Sequence, residues 1–216
     1  MFKQIAVVVF FCVFLPAQAT RPERKVEGNV ITSERDPRVR IHLPNSAQYV
    51  GADRWVLYHM ADCELHAFVD ADPRKNVQRL YWVQFEGYLP TKPDLKHTYD
   101  SPRHANLGGM DFYVDTWVRT RDAEMQPGSD LEHILALIRT RGYHMPAGMM
   151  NVRLVHLLDE QKREELMIIY AENVRESGLT AVELQPGGKR HGQWPSIEKG
   201  LLERAEKSVT IEQTRP

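Results

Sequence analysis

ELHAFVDADPRKNVQRLYWVQFEGY, residues 64–88, reads as two strands around a turn, and the rest of the chain is organised outward from it. In residues 64–70, Leu65, Ala67 and Val69 alternate with Glu64, His66, Phe68 and Asp70. Asp72-Pro73-Arg74-Lys75-Asn76 supplies turn residues, and residues 77–88 form the return strand. There Val77, Tyr81, Val83 and Phe85 alternate with Leu80, Trp82, Gln84, Glu86 and Tyr88. Period-two alternation on both sides of a polar turn predicts an antiparallel hairpin.

Further strands follow on both sides. Residues 55–58 are a short apolar run, and residues 111–119 alternate Phe112, Val114 and Val118 with Asp111, Tyr113, Asp115 and Trp117. Between the hairpin and this strand, residues 90–110 hold three prolines, two histidines and Gly108-Gly109, which reads as a long loop. Ser129-Asp130-Leu131-Glu132 matches a capping box and predicts a helix near 129–142, with Leu131, Ile134, Leu135 and Ile138 on one face. Residues 151–158 and 166–174 predict a second hairpin around the charged turn 159–164. A closing helix is expected near 196–208, with Ile197, Leu201, Leu202 and Ala205 as its apolar stripe. This order predicts an α+β fold: an antiparallel β-sheet with two helices packed on one face.

The ends of the chain read differently. Residues 1–19 carry Lys3, an apolar run from Ile5 to Leu15, and Ala17-Gln18-Ala19, the pattern of a secretory signal peptide cut before Thr20. The expected location is therefore secreted or periplasmic, with no membrane span in the mature chain. Residues 20–37 are polar and proline-bounded and read as an N-terminal arm, leaving one α+β domain over 38–211. The formal charge is −1 for 28 basic and 29 acidic residues; removing Lys3 with the leader makes it −2. Such a balance, without a basic cluster, argues against nucleic acid as partner. Cys12 leaves with the leader, so Cys63 is the only mature thiol and no internal disulfide can form. A core position is the expectation for it.

If each strand turns its apolar set toward the helices, the opposite face collects His66, Phe68 and Asp70, then Trp82, Gln84 and Glu86, then Tyr113, Asp115 and Trp117. Aromatic rings among carboxylates and amides suit an amphiphilic organic ligand. The competing account is a wet sheet face with ordinary cross-strand pairs. His59, Cys63 and His66 have helical metal-ligand spacing, but on a strand His66 takes the other face, so no metal site is assigned. No catalytic or dinucleotide signature occurs, and no cofactor is expected. The reading is an exported, non-catalytic binding or accessory protein for an unidentified small molecule or protein. The alternative is a hydrolase using carboxylates such as Glu86 and Asp115 across neighbouring strands.

Overall fold

The computed structural model describes residues 21–214, so the expected signal peptide lies outside the described residues. In chain order the strands are β1 (Lys25–Glu27), β2 (Val30–Ser33), β3 (Val39–His42), β4 (Gln48–Leu57), β5 (Ala61–Ala71), β6 (Val77–Tyr88), β7 (His104–Leu107) and β8 (Met110–Thr120). After helix α1 (Asp130–Thr140) come β9 (Gly148–Leu157) and β10 (Glu164–Asn173), the short α2 (Ala181–Leu184), α3 (Trp194–Ser208) and β11 (Thr210–Gln213). They form a seven-stranded sheet, β4-β5-β6-β10-β9-β8-β7, and a four-stranded sheet, β1-β2-β3-β11. Every pairing between these strands is antiparallel.

Turn chemistry explains the hairpins. Asp72 Oδ1 accepts from the backbone N–H of Arg74 and of Asn76, each at 2.9 Å, which closes the β5–β6 turn. Asp159 Oδ1 accepts from the Arg163 N–H at 2.7 Å in the β9–β10 turn. Gly108 and Gly109 both have positive φ, the geometry of a two-residue hairpin, and join β7 to β8. A Cβ on Gly108 would stand 2.2 Å from the Ile211 carbonyl, so this turn requires glycine. The long loop therefore ends at Arg103, and residues 104–107 are a strand.

The two principal helices do not share a face of the large sheet. Ile134 and Ile138 of α1 pack with Leu65, Ala67, Trp82 and Ile169. Leu201 and Ala205 of α3 pack on the other side, with Val83, Phe112 and Ile168 and with the small sheet. The reason is visible in β10: Leu166, Ile168 and Tyr170 are buried on one face, and Met167, Ile169 and Ala171 on the other. A strand that is apolar in both parities needs cover on both sides. The expected arrangement over one face accounted for only half of these side chains.

The N-terminal residues also differ from a free arm. They include β1 and β2, and Ile31 is fully buried in the core between the sheets. A four-residue strand needs only one or two inward side chains, so the surrounding charge conceals it. The run before β1 is docked as well. Glu64 accepts from the backbone N–H groups of Glu23 and Arg24, both at 2.8 Å. Burial pushes the Glu64 carboxyl up, but His66, these two N–H groups and Arg24 outweigh it and hold it near 2.

Candidate ligand-binding cleft

Strand register decides which of the expected site residues meet. Directly opposed residues lie on one face of a sheet. Trp82 stands opposite Ala67 and Ile169, Gln84 opposite Leu65 and Met167, and Glu86 opposite Cys63 and Glu165. Tyr113, Asp115 and Trp117 stand opposite Val155, Arg153 and Asn151 on β9, which continue the same rows. So Trp82, Gln84, Glu86, Tyr113, Asp115 and Trp117 occupy one face, the one covered by α1. His66, Phe68 and Asp70 lie on the other: His66 is bonded to Glu64 at 2.9 Å, and Asp70 accepts from Tyr81 at 2.9 Å. Both parities of β5 are buried, which is why its alternation pointed to the wrong side.

The face under α1 is only partly covered. Between α1 and strands β6, β10, β9 and β8 lies a cavity of about 330 Å³. Trp82, Met167 and Ile169 line it from the sheet, with Trp117 on β8 and with Leu131 and Leu135 on α1. Leu135 is half-buried here, whereas Ile134 and Ile138 of the same helix are fully buried. The N-terminus of α1 is fixed by Ser129, whose Oγ accepts from the Glu132 N–H at 3.4 Å. The expected reciprocal bond goes one residue further back, from the Gly128 N–H to Glu132.

At one end the apolar lining gives way to a polar relay. Trp82 Nε1 donates to Gln84 at 2.9 Å, and Gln84 Nε2 donates to Glu86 at 3.1 Å. Cys63, Glu86 and Asp130 follow, with ligand atoms all within 4.8 Å of one another. Beside them Glu165 accepts from Tyr99 Oη at 2.6 Å and lies 3.1 Å from His97 Nδ1. Burial, then the charge of Asp130, pushes the Glu86 carboxyl up to about 7. Burial raises Glu165 to about 8, with the Glu86 charge adding to it against the bond from Tyr99. Burial also raises Asp130 and lowers His97 to about 4. The Cys63 thiol, wholly buried, is pushed well above its ordinary range by burial and by Glu86 and Asp130.

Tyr99 and His97 belong to residues 89–103, a strap over this end of the sheet. Arg163 holds it: its guanidinium donates to the carbonyls of Tyr88, Leu89, Lys92, Pro93 and Leu95 at 2.8–3.2 Å. Asp115 is occupied too, accepting from Ser101 and from the Arg153 guanidinium. It stands three strands away from Glu86 in the order β6-β10-β9-β8, so the two are not a facing pair. The carboxyl opposite Glu86 is Glu165, and the spacing of the sequence offered no means of pairing them. A glutamate immediately before the apolar run LMIIYA, residues 166–171, was the one available sign, because an acid in a doubly buried strand needs a partner.

The chain matches no protein-family model, no curated protein and no solved structure. Among the described residues no helix is long and apolar enough to cross a membrane.

Proposed function

We propose that this protein binds a small amphiphilic molecule in the cleft between α1 and the seven-stranded sheet, outside the cytoplasm and without transforming it. One observation carries the reading: a cavity of about 330 Å³, lined by Trp82, Trp117, Met167, Ile169 and Leu135, has a polar group at its edge in Asp130. Apolar walls with a few placed polar groups are the ordinary construction of a small-molecule site. Against hydrolysis counts the neutralisation of Asp115 by Arg153 and the cover of the strap over Glu165.

The test uses the neutral dye N-phenyl-1-naphthylamine, whose fluorescence rises in apolar surroundings. Binding at micromolar concentration is expected, and Leu135→Trp, which fills the cavity from a half-buried position, should weaken it by about tenfold or more. Unchanged binding in that variant would remove the cleft from consideration. Export rests on the pattern of residues 1–19. N-terminal sequencing of the extracytoplasmic fraction should begin at Thr20; a product that starts at Met1 would overturn that part of the reading.

A further inference from the structure

On the face of the large sheet away from the cleft stand side chains that the binding reading does not use. Tyr49 lies near the start of the edge strand β4, opposite Phe68, and so shares a face with Phe68 and His66. Its ring rests against Phe68, centroid to centroid 4.9 Å, which fixes its direction. Its hydroxyl reaches His66 Nδ1 at 3.3 Å, and His66 Nε2 bonds Glu64 at 2.9 Å. His66 is 1% exposed, whereas Tyr49 is 41% exposed. Glu64 also accepts from the N–H groups of Glu23 and Arg24 and from the Arg24 guanidinium at 3.2 Å. Burial works against its charge, yet these bonds keep the carboxyl ionised, near 2. An ionised carboxylate has no proton to give, so the proton of the bond to His66 belongs to Nε2. The neutral imidazole therefore turns its Nδ1 lone pair to the Tyr49 phenol. A surface hydroxyl, a buried base behind it and a carboxylate that fixes the base make the chain of a nucleophilic triad. The 3.3 Å separation is in the range such pairs show before a substrate tightens them.

We propose that Tyr49 is a nucleophile that takes an acyl group from an activated carboxylic ester, with His66 as its base and Glu64 orienting the imidazole. In this step the bond from Tyr49 Oη to the acyl carbon forms. The ester C–O bond breaks, and its electron pair leaves on the alcohol oxygen. The phenol proton passes to His66 Nδ1 and from there to the leaving oxygen, so one ester and one tyrosine give one O-acyl tyrosine and one alcohol. The imidazolium formed in between is paired with Glu64. Tyr49 needs the base, because burial, then the Glu64 charge, raises its pKa against the charge of Arg141 and keeps the phenol protonated. The same negative balance disfavours a phosphoryl dianion at the hydroxyl and leaves a neutral acyl group as the electrophile. Tyr49, His66 and Glu64 are not among the residues that line the cleft, so this site is independent of it.

Tyr58 supplies an internal control. It is 43% exposed, and among the described residues no histidine lies within hydrogen-bond distance of its hydroxyl. The protein is treated with p-nitrophenyl acetate at pH 8, and the acetylated tyrosines are mapped by mass spectrometry of its peptides. Tyr49 should gain an acetyl group at least about tenfold faster than Tyr58. His66→Gln should bring the Tyr49 rate down to that of Tyr58, and Tyr49→Phe should remove the fast phase of p-nitrophenolate release. Equal rates at Tyr49 and Tyr58 in the wild-type protein overturn the proposal, a comparison that holds even if His66→Gln does not fold. A fast Tyr49 reaction that persists in a folded His66→Gln variant overturns it as well, because the base would then be superfluous. Fast p-nitrophenolate release that survives Tyr49→Phe shows that another group is the nucleophile.

Discussion

Between pH 6 and pH 8 the protein is expected to lose about 3 kcal/mol of stability. Glu165 and Glu86 are raised in the folded protein to about 8 and about 7, against 4.5 for an ordinary glutamate. Through this window the unfolded chain has already released both protons, while the folded chain holds that of Glu86 up to about pH 7 and that of Glu165 up to about pH 8. Each step up in pH therefore favours unfolding until the folded groups titrate. His97 acts in the opposite direction, since its folded value lies near 4 and the unfolded imidazole near 6.5. Its contribution is nearly complete above pH 7, where Glu86 itself begins to titrate, so the fall should be steepest just below pH 7 and should lessen toward pH 8. The groups facing Glu165 set the effect: Tyr99 and His97 from the strap, Glu86 from β6, Asp130 from α1, and Arg153 from β9. Glu165→Gln, which resembles the protonated acid and can still accept from Tyr99, should remove most of the dependence. Chemical denaturation at each pH measures it. A wild-type stability that stays flat or rises from pH 7 to 8 would mean that neither acid holds its proton in the folded state.

Replacing Arg204 with alanine is expected to cost about 3 kcal/mol, because it strips the charge partner from a buried carboxylate. Glu172 on β10 is 0% exposed, and Arg204 on α3 binds it through Nε at 2.7 Å and Nη2 at 2.8 Å. The arginine itself is 47% exposed, and Tyr170 and Arg79 remain near the carboxylate after its loss, so the cost lies at the low end for a broken buried pair. Burial raises the Glu172 carboxyl, but the bonds from Arg204 and Tyr170 outweigh it and hold it below the ordinary value. That part of the stability is present above the ordinary glutamate range and is lost as the pH falls through it. Combining Arg204→Met with Glu172→Leu should recover most of the loss, as an apolar replacement of both partners often does. Equal stability of wild type and Arg204→Ala would show that α3 is held by its apolar stripe alone.

Much of the local structure is legible in the residues themselves. The hairpin β5–β6 follows from alternation interrupted by Asp72 and Pro73, and β9–β10 from two β-rich runs separated by the charged turn 159–164. The start of α1 follows from Ser129, and its buried stripe from Ile134 and Ile138. These are properties of neighbours in sequence: which bonds a turn side chain can make, and which positions recur with the period of a helix or strand. Less was legible at the site. Trp82, Gln84, Glu86, Tyr113, Asp115 and Trp117 share a face as the alternation indicated, but His66, Phe68 and Asp70 do not, because a strand buried on both sides carries no internal sign of which face is which.

What the tertiary structure alone decided is register, order and layering. Register placed Glu165, seventy-nine positions away in the chain, opposite Glu86, and the order β6-β10-β9-β8 separated Glu86 from Asp115. Layering put α1 on one face and α3 on the other, with Ile31 of a charged N-terminal stretch in the core between the sheets. The sequence by itself determined the two long hairpins, their turns and the start of α1, because those rest on contacts between residues a few positions apart. The cleft and the facing pair Glu86 and Glu165 beside it depend on which distant strands pair, and that choice is made by burying two apolar faces of one sheet at once.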